Sequence, residues 1–195
     1  MKAQFSFEKE RFLLLTAVFI LLAGTITLCY LHPHKNDVDS SIKNSYESGI
    51  KQKWYDQTRG LLSRQEWQNA RICANKILLN FPGDIFARRA IARATMEQKN
   101  FALSENICRK LIAETPEDAV SRNNLAVLLH HKFPQQSLAE ITIARNLMPE
   151  HPAIKYNYQL ISDINSGSKV SVTPPDQTPE PEIFILSLPK EATAL

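Results

Sequence analysis

Residues 67–84 read WQNARICANKILLNFPGD, and residues 101–118 read FALSENICRKLIAETPED. Laid over each other at a shift of 34, the two stretches repeat in kind. An aromatic residue, Trp67 or Phe101, stands 15 residues before a proline, Pro82 or Pro116. The apolar pairs Ile77-Leu78 and Leu111-Ile112 fall between them, and each stretch closes on Pro-Gly-Asp or Pro-Glu-Asp. A fixed period of this length marks stacked units, each too small to bury its own apolar face alone. A third unit ends at Leu147-Met148-Pro149-Glu150, one residue early for the same period.

Each unit divides into two helical stretches. Residues 85–97, IFARRAIARATME, place Phe86, Ala90, Ile91 and Ala94 on helical spacing. Residues 101–114 place Ala102, Ile107, Leu111 and Ile112 likewise. Gln98-Lys99-Asn100 is the short turn between them, and Pro116 falls where a proline stops a helix. No stretch before residue 183 alternates as a half-buried strand does. The expected fold class is therefore all-α, with units at 51–84, 85–118 and 119–151. Residues 153–164, AIKYNYQLISDI, read as a capping helix over the open end.

This pattern resembles the tetratricopeptide repeat (TPR) family. Matching positions are Trp54, Leu61, Ala70 and Pro82 in the first unit, Ile91-Ala92 and Pro116 in the second, and Leu125-Ala126, Leu129, Ala144 and Pro149 in the third. Thr58 departs from the family at its glycine-like position, Ser104 stands at the small position, and Ala74 and Cys108 stand where a large aromatic is usual. The third turn, Lys132-Phe133-Pro134, is one residue short. The resemblance implies a right-handed superhelix of about three helix pairs, whose first helices line a concave protein-binding surface. Carried onto this chain, it gives a peptide-binding groove of Tyr55, Arg59, Phe86, Arg89, Arg93, Met96, Asn123, Val127 and His130. Gln52, Leu62 and Val120 share those inward positions. Arg89 and Arg93 are four apart on one helix face. Arginine forks suit carboxylates, and aromatic or Met surface suits apolar side chains. The expected partner is a protein or peptide segment that is acidic or ends in a carboxylate. Some family members hold a terminal carboxylate with Lys, Asn and Arg, but Tyr55 and Val127 occupy two of those positions here.

Outside the repeats, Phe12 to Leu31 reads FLLLTAVFILLAGTITLCYL, 20 residues without a charge. At about 1.5 Å per residue this spans about 30 Å, the thickness of a hydrocarbon core. A cleaved signal would have a shorter apolar region and a small-x-small site, which Leu28-Cys29-Tyr30-Leu31-His32 does not offer. The expectation is an uncleaved single-pass anchor at 12–31, a cytoplasmic tail at 1–11, and a polar linker at 32–50 that turns helical near its end. Lys2, Lys9 and Arg11 precede the run, while Lys35 and Lys43 follow it among acidic residues. The bias favours the N-terminus inside, which in a bacterium puts the repeats on the periplasmic side of the inner membrane.

Residues 165–195 begin with a Pro/Ser/Thr-rich stretch whose composition predicts a disordered tail. That tail carries an apolar patch at 183–188, IFILSL. A tethered patch of this kind either adds to a partner's sheet edge or folds back on the repeats. The acidic segment Asp176 to Glu182 is in turn a candidate occupant of the groove in cis.

Other functions find little in the sequence. The net charge is +3, with no nucleic-acid signature. Five glycines stand at 24, 49, 60, 83 and 167, too far apart for a phosphate loop. There is no Gly-x-Ser-x-Gly and no Cys-x-x-Cys. His130 and His131 are adjacent, not at the i, i+4 spacing of helical zinc ligands. Cys73 and Cys108 read as small buried side chains. The chain is expected to be no enzyme, with no cofactor, metal or small-molecule substrate. It reads as a membrane-tethered scaffold or assembly factor that holds a protein segment in its groove. The alternative is a structural subunit of a secretion, pilus or translocation complex, docking through its C-terminal tail.

Overall fold

Aspartates two residues past Pro82 and Pro116 start the next helix. In the computed structural model, the Asp84 carboxylate accepts the Ala87 N–H (2.9 Å) and the Asp118 carboxylate accepts the Ser121 N–H (3.0 Å). Each satisfies a backbone donor that the first turn leaves unpaired. Asn100 does the same for Leu103 at 3.3 Å. Pro134 and Pro152 open later helices at the one place where a missing N–H costs nothing. Gly167 ends the last helix at φ 66°, a left-handed closure suited to glycine.

The structure describes residues 44–170, 172–176 and 180–187, which fall into two units divided after Ile50. In the first unit residues 44–50 are helical. The tail at 1–11, the apolar run at 12–31 and the linker up to residue 43 lie outside the described residues. No helix among the described residues is long and apolar enough to cross a membrane. The second unit is all-α: α1 (51–63), α2 (Trp67–Asn80), α3 (Ile85–Glu97), α4 (Phe101–Glu114), α5 (Ala119–Leu129), α6 (Pro134–Leu147) and α7 (Pro152–Ser166).

From α2 onward each helix packs on its neighbours in sequence, and α5 also touches α7. This is the helix-on-helix stacking of a repeat array. Small residues let the paired helices approach. Thr58, Ala92 and Ala126, spaced by 34, are fully buried. The Ser104 and Ser137 hydroxyls donate to the carbonyls of Ala92 and Ala126, both at 2.8 Å. A larger side chain at Ala92 would push α4 off α3. Two apolar clusters result. One joins α1, α2 and α3 around Leu61, Ala74, Ile77 and Phe86. The other runs from Ala92 and Cys108 through α5, α6 and α7.

Two expectations need correction. The capping helix expected at 153–164 extends to Ser166, where Gly167 stops it. Residues 165–195 are not disordered throughout: Ile183, Phe184 and Leu186 are buried in the second cluster. The Pro/Ser/Thr composition that predicts disorder ends at Glu182, and the apolar patch after it has enough surface to bury.

Candidate functional site

Residues 182–186 lie across the first helices of the repeats, and three asparagines hold their backbone. The Asn124 Oδ1 accepts the Phe184 N–H (2.8 Å), and its Nδ2 donates to the Glu182 carbonyl (3.0 Å). The Asn157 Oδ1 accepts the Leu186 N–H (2.9 Å), and its Nδ2 donates to the Phe184 carbonyl (2.7 Å). An N–H and a carbonyl two residues apart are what a residue on a parallel strand would pair with. Each side-chain amide thus stands in for one residue of a neighbouring strand. The second rung sits two residues further along the tail. Asn123 donates to the Phe184 carbonyl (3.0 Å) and accepts from Asn157 (2.8 Å). These bonds fix which end of each amide is nitrogen, since a flip would face donor to donor. All three asparagines are 0 % exposed, which demands that their polar atoms be paired.

Side chains complete the seat. Phe184 is 0 % exposed, with the Arg93 guanidinium 5.6 Å from its ring centre. Arg93 also donates to the Ile183 carbonyl (3.3 Å), pairs with Glu97 (2.9 Å) and lies 5.7 Å from the Trp67 ring. The Tyr156 hydroxyl donates to the Leu186 carbonyl at 3.2 Å. A turn bond from Ile183 N–H to the Glu180 carbonyl (3.1 Å) leads in, and His151 meets the Glu180 carboxylate at 2.6 Å. Burial pushes the Glu182 carboxyl above its ordinary value; its own backbone N–H, Arg89 and Arg59 oppose this without cancelling it.

The groove expected from the sequence divides among three places. Tyr55, Arg59 and Phe86 form one cluster, with ring centres of Tyr55 and Phe86 4.4 Å apart and Arg59 4.9 Å from the Phe86 ring. Arg93 and Asn123 touch the tail, with Val127 buried and Met96 partly buried in the same core. His130 stands at the end of α5, bonded to the Val127 carbonyl at 2.7 Å and stacked on His131. Burial lowers its pKa.

Arg89 and Tyr55 have structural tasks. Arg89 grips the Asp118 carboxylate with two nitrogens, and the Tyr55 hydroxyl donates to Asp84. They are 34 apart, so each ties the cap of the following unit. Burial alone would raise the Asp84 carboxyl, but Lys51, the Tyr55 hydroxyl and the Ala87 N–H outweigh it and hold it below its ordinary value.

The expected groove omits Asn124, Tyr156 and Asn157. A signal for them exists: Asn124 and Asn157 are 33 apart, six residues past Asp118 and His151 respectively. The spacing is one short of the period because the turn after α5 is one residue short. Treating α7 as a cap, rather than as the first helix of a fourth unit, hides the match.

No family model matches the chain, and no curated protein matches it.

Proposed function

We propose that this chain is a membrane-tethered, TPR-like scaffold that receives a protein segment in extended conformation across its first helices. The observation that carries the reading is the pair of asparagine rungs on residues 182–186. Side-chain amides that read only backbone accept many sequences, while the buried seat around Phe184 selects an apolar residue. The chain's own tail, Glu180 to Leu186, has that chemistry. The apolar run at 12–31 would hold this scaffold at a membrane, with the repeats on the outer, periplasmic side in a bacterium.

Docking through the tail as a structural subunit is less favoured. Ile183, Phe184 and Leu186, which would have to face a partner, are buried against the chain's own helices.

The test is a tagged pull-down from detergent-solubilised membranes with mass-spectrometric identification. Native chain is compared with Asn124→Ala/Asn157→Ala and with a chain ending at Asp176. A segment-binding scaffold loses its partner with the asparagine pair and keeps or gains it on truncation. A partner lost on truncation and kept by the asparagine variant would sink the reading. Charge reversal at Arg89 is a poorer probe, because it also breaks the Asp118 pair.

A further inference from the structure

The tail fits its seat imperfectly. The Glu182 Oε2 and Arg93 Nε atoms are buried with no hydrogen-bond partner. Each such atom forfeits its hydration without replacement. The backbone, by contrast, is bonded at every alternate residue, and Phe184 and Leu186 are buried to 0 % and 4 % exposure. The parts any extended peptide shares are satisfied. The part peculiar to this tail is not.

Resting on the groove reading above, we propose that residues 182–186 are a resident pseudo-ligand. The true ligand is an extended segment of another protein that carries an aromatic residue and, two further on, an aliphatic one, with no buried carboxylate before them. It enters only by displacing the chain's own tail. Phe184 and Leu186 supply the pattern, and Ile183 is buried beside them. The register is fixed because Asn124 and Asn157 accept from Phe184 and Leu186 and from no odd-numbered residue. A slip by one would turn Phe184 and Leu186 to the opposite side of the segment. Residues 168–179 join α7 to the docked segment, so the tail competes intramolecularly, at an effective concentration on the order of millimolar for a short link. A free segment of equal intrinsic affinity therefore binds the intact chain much more weakly than an emptied one.

The experiment is fluorescence anisotropy with a labelled synthetic peptide EPEIFILS, the sequence of residues 180–187, on the full-length chain in detergent micelles. Two opened forms run beside it: a chain ending at Asp176, and a full-length Phe184→Ala/Leu186→Ala variant, which serves if the shortened chain does not fold. Both opened forms should bind the peptide at least tenfold more tightly than the native chain. A peptide with its Phe changed to Ala should bind them at least tenfold more weakly. Equal affinity for native and opened chains, lost in both on Asn124→Ala/Asn157→Ala, would overturn the pseudo-ligand while leaving the groove intact. Peptide binding indifferent to those asparagines, or no binding by opened chains that keep their helical circular-dichroism signal, would overturn the groove reading and the proposal together.

Discussion

At the scale of single residues, Asn124 and Asn157 decide whether the tail docks. Burying Ile183, Phe184 and Leu186 contributes about 1.5–3 kcal/mol each. Ordering the five residues from 182 to 186 opposes it by about 1–2 kcal/mol per residue. The two nearly cancel, which leaves the outcome to the amide hydrogen bonds, each worth about 0.5–1.5 kcal/mol net. Asn124→Ala strands the buried Phe184 N–H and Glu182 carbonyl and should cost about 2–3 kcal/mol of docking. Hydrogen exchange of the Phe184 amide, read by NMR, should speed up at least tenfold while helix α2 is unchanged; an unchanged rate would show that the rung carries no energy. Glu182 adds a pH dependence of definite sign. Its carboxyl is raised above 4.5 in the docked state, so the protonated form docks better. Docking is fully strengthened below about pH 4.5 and weakens as pH rises through the raised docked value. Glu182→Gln should dock more tightly at neutral pH and flatten the exchange–pH profile of Phe184; a profile that keeps its slope would show that Glu182 does not carry the dependence.

At the scale of elements, the helix starts and turns were legible because local chemistry sets them. Asp84, Asn100 and Asp118 mark the starts of α3, α4 and α5, and Pro82 and Pro116 follow the ends of α2 and α4. The rest was not, because it depends on partners distant in sequence. Arg89 reads as a groove residue on helical spacing, yet it meets Asp118 across 29 residues. Asn157 reads as part of a polar cap until a backbone carbonyl 27 residues later pairs with it. Two substitutions separate the local contribution from the distant one. Asp118→Ala removes an N-cap worth about 1 kcal/mol and leaves Arg89 without its carboxylate, so the melt should show a loss of about 2–3 kcal/mol. Asp118→Asn keeps the cap and should recover about a third of that. The opposite sign is expected in the turns. Gln65 and Lys99, 34 apart, both sit at positive φ, 62° and 65°. A side chain there costs about 1–2 kcal/mol. Lys99→Gly, after the entropy glycine loses on folding, should gain about 0.5–1 kcal/mol, seen as a higher melting temperature; a lower one would mean the lysine makes a contact that outweighs the strain.

At the scale of the second unit, stability is divided between two cores that meet along α3. Ala87 and Ala90 belong to the cluster with α1 and α2, while Ala92 belongs to the one with α5 to α7. In stacked repeats each unit senses mainly its neighbours, so a change at one end reaches the other only through such a boundary. The tail belongs wholly to the second core: Ile183, Phe184 and Leu186 join it, with Val170, Val172 and Ile185 packed at its edge. Ending the chain at Asp176 should therefore loosen α5 and α7, whose buried asparagines lose the backbone they were paired to, and spare α1 and α2. Unpaired buried amides are costly, so water should enter there first, and the melt should separate into an early step in α5–α7 and a later one in α1–α3. Hydrogen-exchange mass spectrometry on full-length and shortened chains reads this directly. Exchange should rise by about ten- to hundredfold in peptides from α5 and α7, as expected for a loss of about 1.4–2.8 kcal/mol, with α2 unchanged. A uniform rise across all helices would show that the two clusters unfold as one, and that the tail braces the whole array instead of closing a groove.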